Sequence, residues 1–171
     1  MKKYLLVIDM QKDFVDGSLG TKEAQAIVPA VAAKIRGFSG EVIFTQDTHE
    51  ENYMETQEGK FLPVLHCMKG TEGHAVIPEL QEFLPEAKVF LKGTFGSVDL
   101  GVYLKKREEE IESIELIGLC TDICVVSNAL LLKAAMPEVP IFVDSKCCAG
   151  VTPEKHEAAL ETMRSCQITV C

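Results

Sequence analysis

The 171-residue sequence lacks the features that mark several classes of protein. Acidic residues outnumber basic ones by 26 to 17, and no basic stripe offsets the net charge of −9, so nucleic acid is an unfavourable partner. No uninterrupted apolar run is long enough to cross a bilayer. The first apolar run stops at Asp9, too early for the hydrophobic region of a signal peptide. We therefore expect a cytoplasmic protein without a membrane or nucleic-acid partner.

Nucleotide-binding and thiol-redox motifs are also missing. No GxGxxG follows the first predicted strand, and no GxxxxGK[ST] occurs, so the phosphate loop of nucleotide-binding proteins is absent. The seven cysteines, an odd number without an export signal, indicate reduced thiols. Cys120 and Cys124 are separated by three residues, whereas a thioredoxin-like pair or a zinc knuckle has two. The other cysteines show no ligand spacing and are interpreted as structural: Cys67, Cys147, Cys148, Cys166 and Cys171.

The chain contains short apolar runs that alternate with segments of helical periodicity. Strands are predicted at 4–9, 41–47, 88–93, 113–119, 140–145 and 167–171, and helices at 24–38, 98–110, 124–135 and 152–164. Continuous apolar strands separated by helices indicate a parallel sheet covered on both faces. We predict an α/β protein with a three-layer α/β/α architecture and a six-stranded parallel sheet, Rossmann-like, in one domain spanning residues 1–171.

Reactive side chains follow several of the predicted strands. Ligands of open parallel sheets bind beyond the carboxyl ends of the strands, where strand order reverses. The residues at these ends are Asp9, Asp47 with His49, Lys92, the turn from Cys120 to Cys124, and Asp144.

Three of these residues suit nucleophilic catalysis. A thiol at a helix start, as predicted for Cys124, is expected to ionise easily because free amide groups there favour negative charge. Lys92 would lower the pKa of this thiol further, and Asp9 could accept the thiol proton and deliver it to a leaving group. The alternative is that Cys124 is an ordinary core residue.

A second group of residues has the composition of a metal site. Asp47, His49 and His66 offer a carboxylate and two imidazoles, which suit Zn²⁺ or Fe²⁺ with open coordination positions, and Glu58 is a fourth candidate ligand. The alternative, solvated polar residues in a surface loop, fits the spacing equally well. The segment from 47 to 74 is long for a loop, and such loops are usually functional. Two histidines are interpreted as surface residues and one aspartate as a helix cap: His74, His156 and Asp122.

Five motifs together resemble a known superfamily. They are VIDMQKDF at 7–14, FTQDTH at 44–49, HCMKGTEG at 66–73, LKGTFGS at 91–97 and GLCTDICV at 118–125. In this order, across essentially the whole chain, they resemble the isochorismatase-like cysteine hydrolases, and within them most closely the nicotinamidases/pyrazinamidases. The D…K…GxxTDxCV combination is specific to the superfamily, and the DxH…H pair distinguishes nicotinamidases from their relatives.

The resemblance implies roles for individual residues. It implies a catalytic triad of Asp9, Lys92 and Cys124. It implies one divalent metal, zinc with Fe²⁺ or Mn²⁺ as alternatives, whose ligands would be Asp47, His49, His66 and Glu58. It also implies a cis peptide at Leu119–Cys120, which would aim the backbone amides of Cys120 and Cys124 into an oxyanion hole.

The substrate ring would pack on Phe14, by the same resemblance. Many nicotinamidases add a tryptophan to this wall, but the sequence has none. Phe14, Phe61 or Tyr53 would have to form the wall here.

The resemblance implies a metal-dependent cysteine amidohydrolase that deaminates nicotinamide to nicotinate and ammonia, in NAD salvage, through a Cys124 thioester. One alternative is a related amidohydrolase acting on a ureido, carbamoyl or other small amide. A non-enzymatic alternative is a redox sensor or metal store that uses the same cysteines and histidines. The expected partner is a small-molecule amide substrate, and the sequence leaves open whether the chain forms a homo-oligomer.

Overall fold

A computed structural model describes residues 1–171, and its central feature is one sheet of six parallel strands. The strands lie in the order β3-β2-β1-β4-β5-β6. They are β1 (Lys2–Ile8), β2 (Glu41–Asp47), β3 (Lys88–Lys92), β4 (Ile111–Leu119), β5 (Ile141–Ala149) and β6 (Thr169–Val170). The predicted α/β fold with a six-stranded parallel sheet is confirmed.

Six α-helices connect these strands. They are α1 (Lys12–Val15), α2 (Lys22–Gly37), α3 (Gln57–Phe61), α4 (Val98–Lys105), α5 (Val126–Ala135) and α6 (Pro153–Ser165). Hydroxyl side chains cap several of their N-termini: Thr21, Thr56, Ser97 and Thr152 each accept a hydrogen bond from a backbone N–H of the first turn. Every helix is too short or too polar to cross a bilayer.

Two hydrophobic cores lie on opposite faces of the sheet. Alternate residues of β1 point to opposite sides, so that Leu6 and Ile8 belong to one core while Leu5 and Val7 belong to the other. The first core packs the sheet against α4, α5 and α6, and the second packs it against α1 and α2. This arrangement is the predicted α/β/α sandwich.

Strand order reverses on either side of β1, which pairs with β2 along one edge and with β4 along the other. A crevice opens at such a point beyond the carboxyl ends of the strands. Asp9 directly follows β1, and the segment from Cys120 to Cys124 directly follows β4. The topology therefore places these two segments side by side.

The chain turns out of β4 through a segment of special backbone geometry. Gly118 has a φ of +115°, and a Cβ atom there would collide with the carbonyl oxygen of Ile8 on the neighbouring strand. Only glycine satisfies both conditions. The following peptide bond, Leu119–Cys120, is cis, and Thr121–Val125 then form one turn of π-helix before α5 begins.

Several predicted boundaries were wrong. The helix predicted at 98–110 ends at Lys105, and β4 begins at Ile111, two residues before its predicted start. Strand β5 continues to Ala149, because its polar centre interrupts the apolar pattern on which the prediction depended. Asp144 consequently lies inside β5 and not at the ligand-binding edge, and its carboxylate accepts a hydrogen bond from Lys34 at 3.0 Å.

Candidate active site

The turn after β4 holds Cys124 in a buried position. The carbonyl oxygen of Cys120 accepts hydrogen bonds from the N–H groups of Ile123 and Val125, which closes the turn. The predicted capping role of Asp122 was wrong: its carboxylate accepts from the N–H of Val151 at 2.9 Å, and so joins this turn to the segment preceding α6.

Neither of the two remaining histidines is a free surface residue, contrary to prediction. His156 on α6 lies 2.7 Å through Nδ1 from the hydroxyl of the fully buried Thr121, beside the Cys124 turn. His74 lies 2.9 Å through Nε2 from the hydroxyl of Thr48. Both rings are partly buried. Their partners lie far away in the sequence, which is why sequence reasoning did not find them.

Asp9, Lys92 and Cys124 lie together beyond the ends of β1, β3 and β4. The ammonium of Lys92 is 2.6 Å from Asp9 Oδ2 and 3.5 Å from Cys124 Sγ. The other oxygen of Asp9 accepts a 2.6 Å hydrogen bond from the hydroxyl of Thr45 on β2. Each of these groups is buried. A carboxylate, an ammonium and a thiol thus share one desolvated spot.

Burial and mutual charge shift all three pKa values. Burial raises the pKa of Asp9, and the neighbouring charge of Lys92 only partly opposes this shift. Burial alone would lower the pKa of Lys92, but the charges of Asp9 and Cys124 outweigh it and raise that pKa. Burial, followed by the charge of Asp9, raises the pKa of Cys124 well above its ordinary value. The expectation of a readily ionised thiol was therefore wrong, and Cys124 rests as a neutral thiol beside a carboxylate.

Four residues could hold a metal ion next to these three. Asp47, His49, Glu58 and His66 each direct one ligand atom into a common space, and these atoms all lie within 4.8 Å of one another. Asp47 Oδ2 is 3.0 Å from His49 Nε2 and 3.4 Å from His66 Nε2. Glu58 Oε1 is 3.5 Å and 3.6 Å from the same two nitrogens. The structure brings all four predicted ligands together.

The chemistry of this group fits a cation. His66 Nδ1 lies 2.8 Å from the carbonyl oxygen of Val64, which favours a proton on Nδ1 and leaves the Nε2 lone pair facing the carboxylates of Asp47 and Glu58. Burial lowers the pKa of His66, but its bonds to Asp47 and Glu58 outweigh this and raise it to about 10. The two carboxylates therefore make the centre of this group favourable for positive charge.

Buried polar side chains hold this group in place. Gln11 is fully buried; its amide donates to the carbonyl oxygen of Asp47 at 2.8 Å and accepts from the N–H of Asp47 at 2.7 Å. Burial raises the pKa of Asp47, but hydrogen bonds from His49 and His66 outweigh it and lower that pKa well below its usual range. The role of Gln11 was not predicted, although this residue belongs to the quoted motif at 7–14. A sequence does not show which backbone groups a glutamine side chain will bind.

Asp47, His49, Glu58 and His66 together are called the metal-type group below. A cavity of about 260 Å³ connects this group with the thiol of Cys124. Cys124, Asp47, Glu58 and His66 line it together with mostly apolar side chains: Phe14, Leu19, Leu62, Phe95, Ile123 and Val151. Phe14, the predicted ring contact, lies 5.5 Å from the ring of His66 between centroids.

The wall of this cavity differs from the expectation. Phe61 is 82% exposed and does not line the cavity, and Tyr53 packs behind the metal-type group, 4.5 Å from the ring of His49. The second aromatic wall residue is Phe95, in the loop after β3. Its position within the quoted motif at 91–97 was the one available signal.

Comparison with known proteins identifies the family. A protein-family model described as "Isochorismatase domain" matches residues 3–171. An uncharacterized isochorismatase family protein of Bacillus subtilis (strain 168) is 33% identical over 94% of this chain and 93% of its own length. The nicotinamidase/pyrazinamidase of Mycobacterium tuberculosis is 27% identical over 96% of this chain and 95% of its own length.

Solved structures agree with this assignment. The pyrazinamidase of Pyrococcus horikoshii, determined in complex with zinc, superposes with a TM-score of 0.85 at 29% identity, covering 100% of this chain and 99% of that one. The chain therefore belongs to the isochorismatase family and is a hydrolase that acts on amide C–N bonds.

Proposed function

We propose that the protein is a metal-dependent nicotinamidase that converts nicotinamide to nicotinate and ammonia through a thioester on Cys124. The observation that carries the proposal is the single cavity shared by Cys124 and by Asp47, Glu58 and His66 of the metal-type group. One end offers a nucleophile to an amide, and the other offers a coordination point to a ring nitrogen. A cavity of about 260 Å³ suits a one-ring substrate, since drug-sized ligands occupy larger pockets.

Acylation begins with proton transfer from Cys124 to Asp9, whose raised pKa suits it to hold a proton during the reaction. The sulfur attacks the carboxamide carbon, while the Lys92 ammonium, 3.5 Å from Sγ, stabilises the developing charge. The backbone amides of Cys120 and Cys124 would receive the resulting oxyanion. When the tetrahedral intermediate collapses, the C–N bond breaks and Asp9 protonates the departing ammonia.

Deacylation uses the same carboxylate in the reverse sense. Asp9, ionised again, removes a proton from a water molecule that attacks the thioester carbon. The C–S bond breaks, nicotinate is released, and the proton returns to the sulfur of Cys124. The mostly apolar walls limit the access of other water molecules and thereby strengthen the electrostatic contributions of Lys92.

The residues Asp47, His49, Glu58 and His66 would hold the divalent ion, for which zinc is the first expectation. When bound, this ion supplies a Lewis-acidic position that binds the pyridine nitrogen. Phe14, beside His66, then packs on the ring and orients the carboxamide toward Cys124.

An ammonia-release assay tests the proposal. The purified protein is given nicotinamide, pyrazinamide or a ureido compound, and the metal content of the same sample is measured. We expect turnover of nicotinamide and about one divalent ion per chain. Turnover of the ureido compound alone would instead indicate the related amidohydrolase.

The Cys124→Ala variant tests the covalent route. It should lose turnover while retaining the fold and the metal, because the thiol forms the intermediate. The matched control is Cys171→Ala, which removes an exposed thiol far along the chain and should leave turnover unchanged. Activity of Cys124→Ala near that of the control would reject the thioester.

A further inference from the structure

The fully buried Asn128 on α5 makes all its hydrogen bonds to backbone atoms at the active site. Its amide nitrogen donates to the carbonyl oxygen of Cys124 at 2.8 Å and to that of Phe95 at 3.1 Å. Its amide oxygen accepts from the N–H of Ser97 at 2.9 Å. We call the turn that contains Cys124 the nucleophile turn, and the segment 93–97, which follows Lys92, the lysine loop. The side chain of Asn128 thus joins the backbones of these two segments.

The lysine loop in turn orients the ammonium of Lys92. Lys92 Nζ donates to the carbonyl oxygen of Thr94 at 3.0 Å, while it also lies 2.6 Å from Asp9 and 3.5 Å from Cys124 Sγ. Thr94 precedes Phe95, whose carbonyl Asn128 holds. A displacement of the loop would therefore move the ammonium relative to the sulfur.

We propose that Asn128 is a positioning residue that fixes the distance between the Lys92 ammonium and the Cys124 sulfur by fastening the lysine loop to the nucleophile turn. The inference rests on the proposed role of Cys124 as nucleophile. It extends that role to a residue outside the cavity, one that touches neither substrate nor metal ligands.

Only a carboxamide at this position can make the three bonds. The two N–H groups of the amide satisfy two buried carbonyls, and its oxygen satisfies a buried N–H. An aspartate of the same shape has no proton to donate when ionised. An alanine leaves all three backbone groups without a partner, and a threonine hydroxyl can bond only to the carbonyl four residues earlier, that of Cys124.

The test compares Asn128→Ala and Asn128→Thr with the wild type. We expect kcat to fall by about tenfold in both variants while KM changes less, because the ammonium acts on the reacting sulfur rather than on substrate binding. The threonine variant keeps the helix bond to Cys124 but releases the lysine loop, so it separates loop fastening from helix stability.

A second measurement needs no substrate and so remains informative if nicotinamide is not turned over. Alkylation by iodoacetamide at a fixed pH is followed separately for Cys124 and for the exposed Cys171 by peptide mass spectrometry. The ratio of the two rates should fall in both Asn128 variants, since a displaced ammonium stabilises the thiolate less. The matched control is Ile35→Val, a buried change on α2 at the other face of the sheet, which should alter stability but not this ratio.

The alkylation ratio and kcat together test the positioning role of Asn128. A lower ratio and lower kcat in the Asn128 variants, with Ile35→Val like wild type, support it. A ratio equal to or above that of the wild type would overturn it, because loop release would then leave the ammonium in place. Failure of both variants to fold would also overturn it, since Asn128 would then serve the fold as a whole.

Discussion

At the scale of single residues, Asp9 is the group whose protonation governs the proposed mechanism. It is completely buried, yet the proposed mechanism requires it to be ionised before it accepts a proton from Cys124. Burial raises its pKa, whereas the charge of Lys92 and the hydroxyl of Thr45 lower it. The lowest pH at which the enzyme is active should therefore depend on the hydrogen bonds and charges that stabilise the ionised carboxylate of Asp9.

The variant Thr45→Val tests this dependence. The change removes the 2.6 Å hydrogen bond to Asp9 Oδ1 and nearly preserves shape, so the pKa of Asp9 should rise further. In the proposed mechanism activity requires ionised Asp9 and is lost as pH falls through its pKa, so the acid limb of kcat/KM should move to higher pH. The measurement is a pH profile, with Thr169→Val in the exposed part of β6 as control. An acid limb that stays in place would show that Asp9 is not the titrating base.

At the scale of elements, the exit from β4 combines a positive φ with a close backbone contact at Gly118. Gly118→Ala should destabilise the protein by about 3 kcal/mol or more, because a Cβ atom would enter the space of the Ile8 carbonyl at a φ of +115°. Gly37, the last residue of α2, has open space around its Cα, so Gly37→Ala should be neutral or slightly stabilising. Urea unfolding of the two variants measures the difference. Equal stabilities would contradict the steric argument.

Part of the fold and of the site could be predicted from the sequence, and part could not. The strands that precede Asp9 and the Cys124 turn followed from periodicity, since the apolar runs of β1 and β4 are buried on both sides. The predicted end of β5 was wrong because its polar centre points to the surface, where no apolar pattern is needed. Asn128 and Gln11 were missed because their partners are backbone atoms on distant segments, which a sequence does not reveal. The predicted direction of the Cys124 pKa shift was wrong because burial and the charge of Asp9 raise this pKa more than the charge of Lys92 lowers it.

At the scale of the whole molecule, the metal-type group links the segment 48–66 to the sheet. Asp47 ends β2, while Glu58 lies on α3 and His66 on the segment that follows. A bound ion would therefore stabilise the folded state by about 2.7 kcal/mol at a concentration 100 times its dissociation constant. For a chain of this size that corresponds to a Tm increase of about 5–10 °C.

Metal removal and a ligand variant test this linkage. Chelation should lower Tm, and added zinc should restore it. Glu58→Gln should weaken the restoration, because it exchanges a carboxylate for a neutral amide, whereas Glu55→Gln, exposed in the same segment, should behave like wild type. Thermal melts followed by circular dichroism provide the measurement. Identical responses of the two glutamine variants would exclude Glu58 as a ligand.

The position of β3 at the outer margin of the sheet has a consequence for how the enzyme loses activity. Asp9 and Cys124 follow interior strands, but Lys92 ends a five-residue strand with a neighbour on one side only. Segments with few buried contacts open locally at free energies below that of global unfolding, and four of the five residues of β3 are not buried. If Lys92 acts as proposed, each such opening would stop catalysis reversibly, because it would move the ammonium away from Cys124. Activity should therefore decline on warming below the unfolding transition, while the core remains folded.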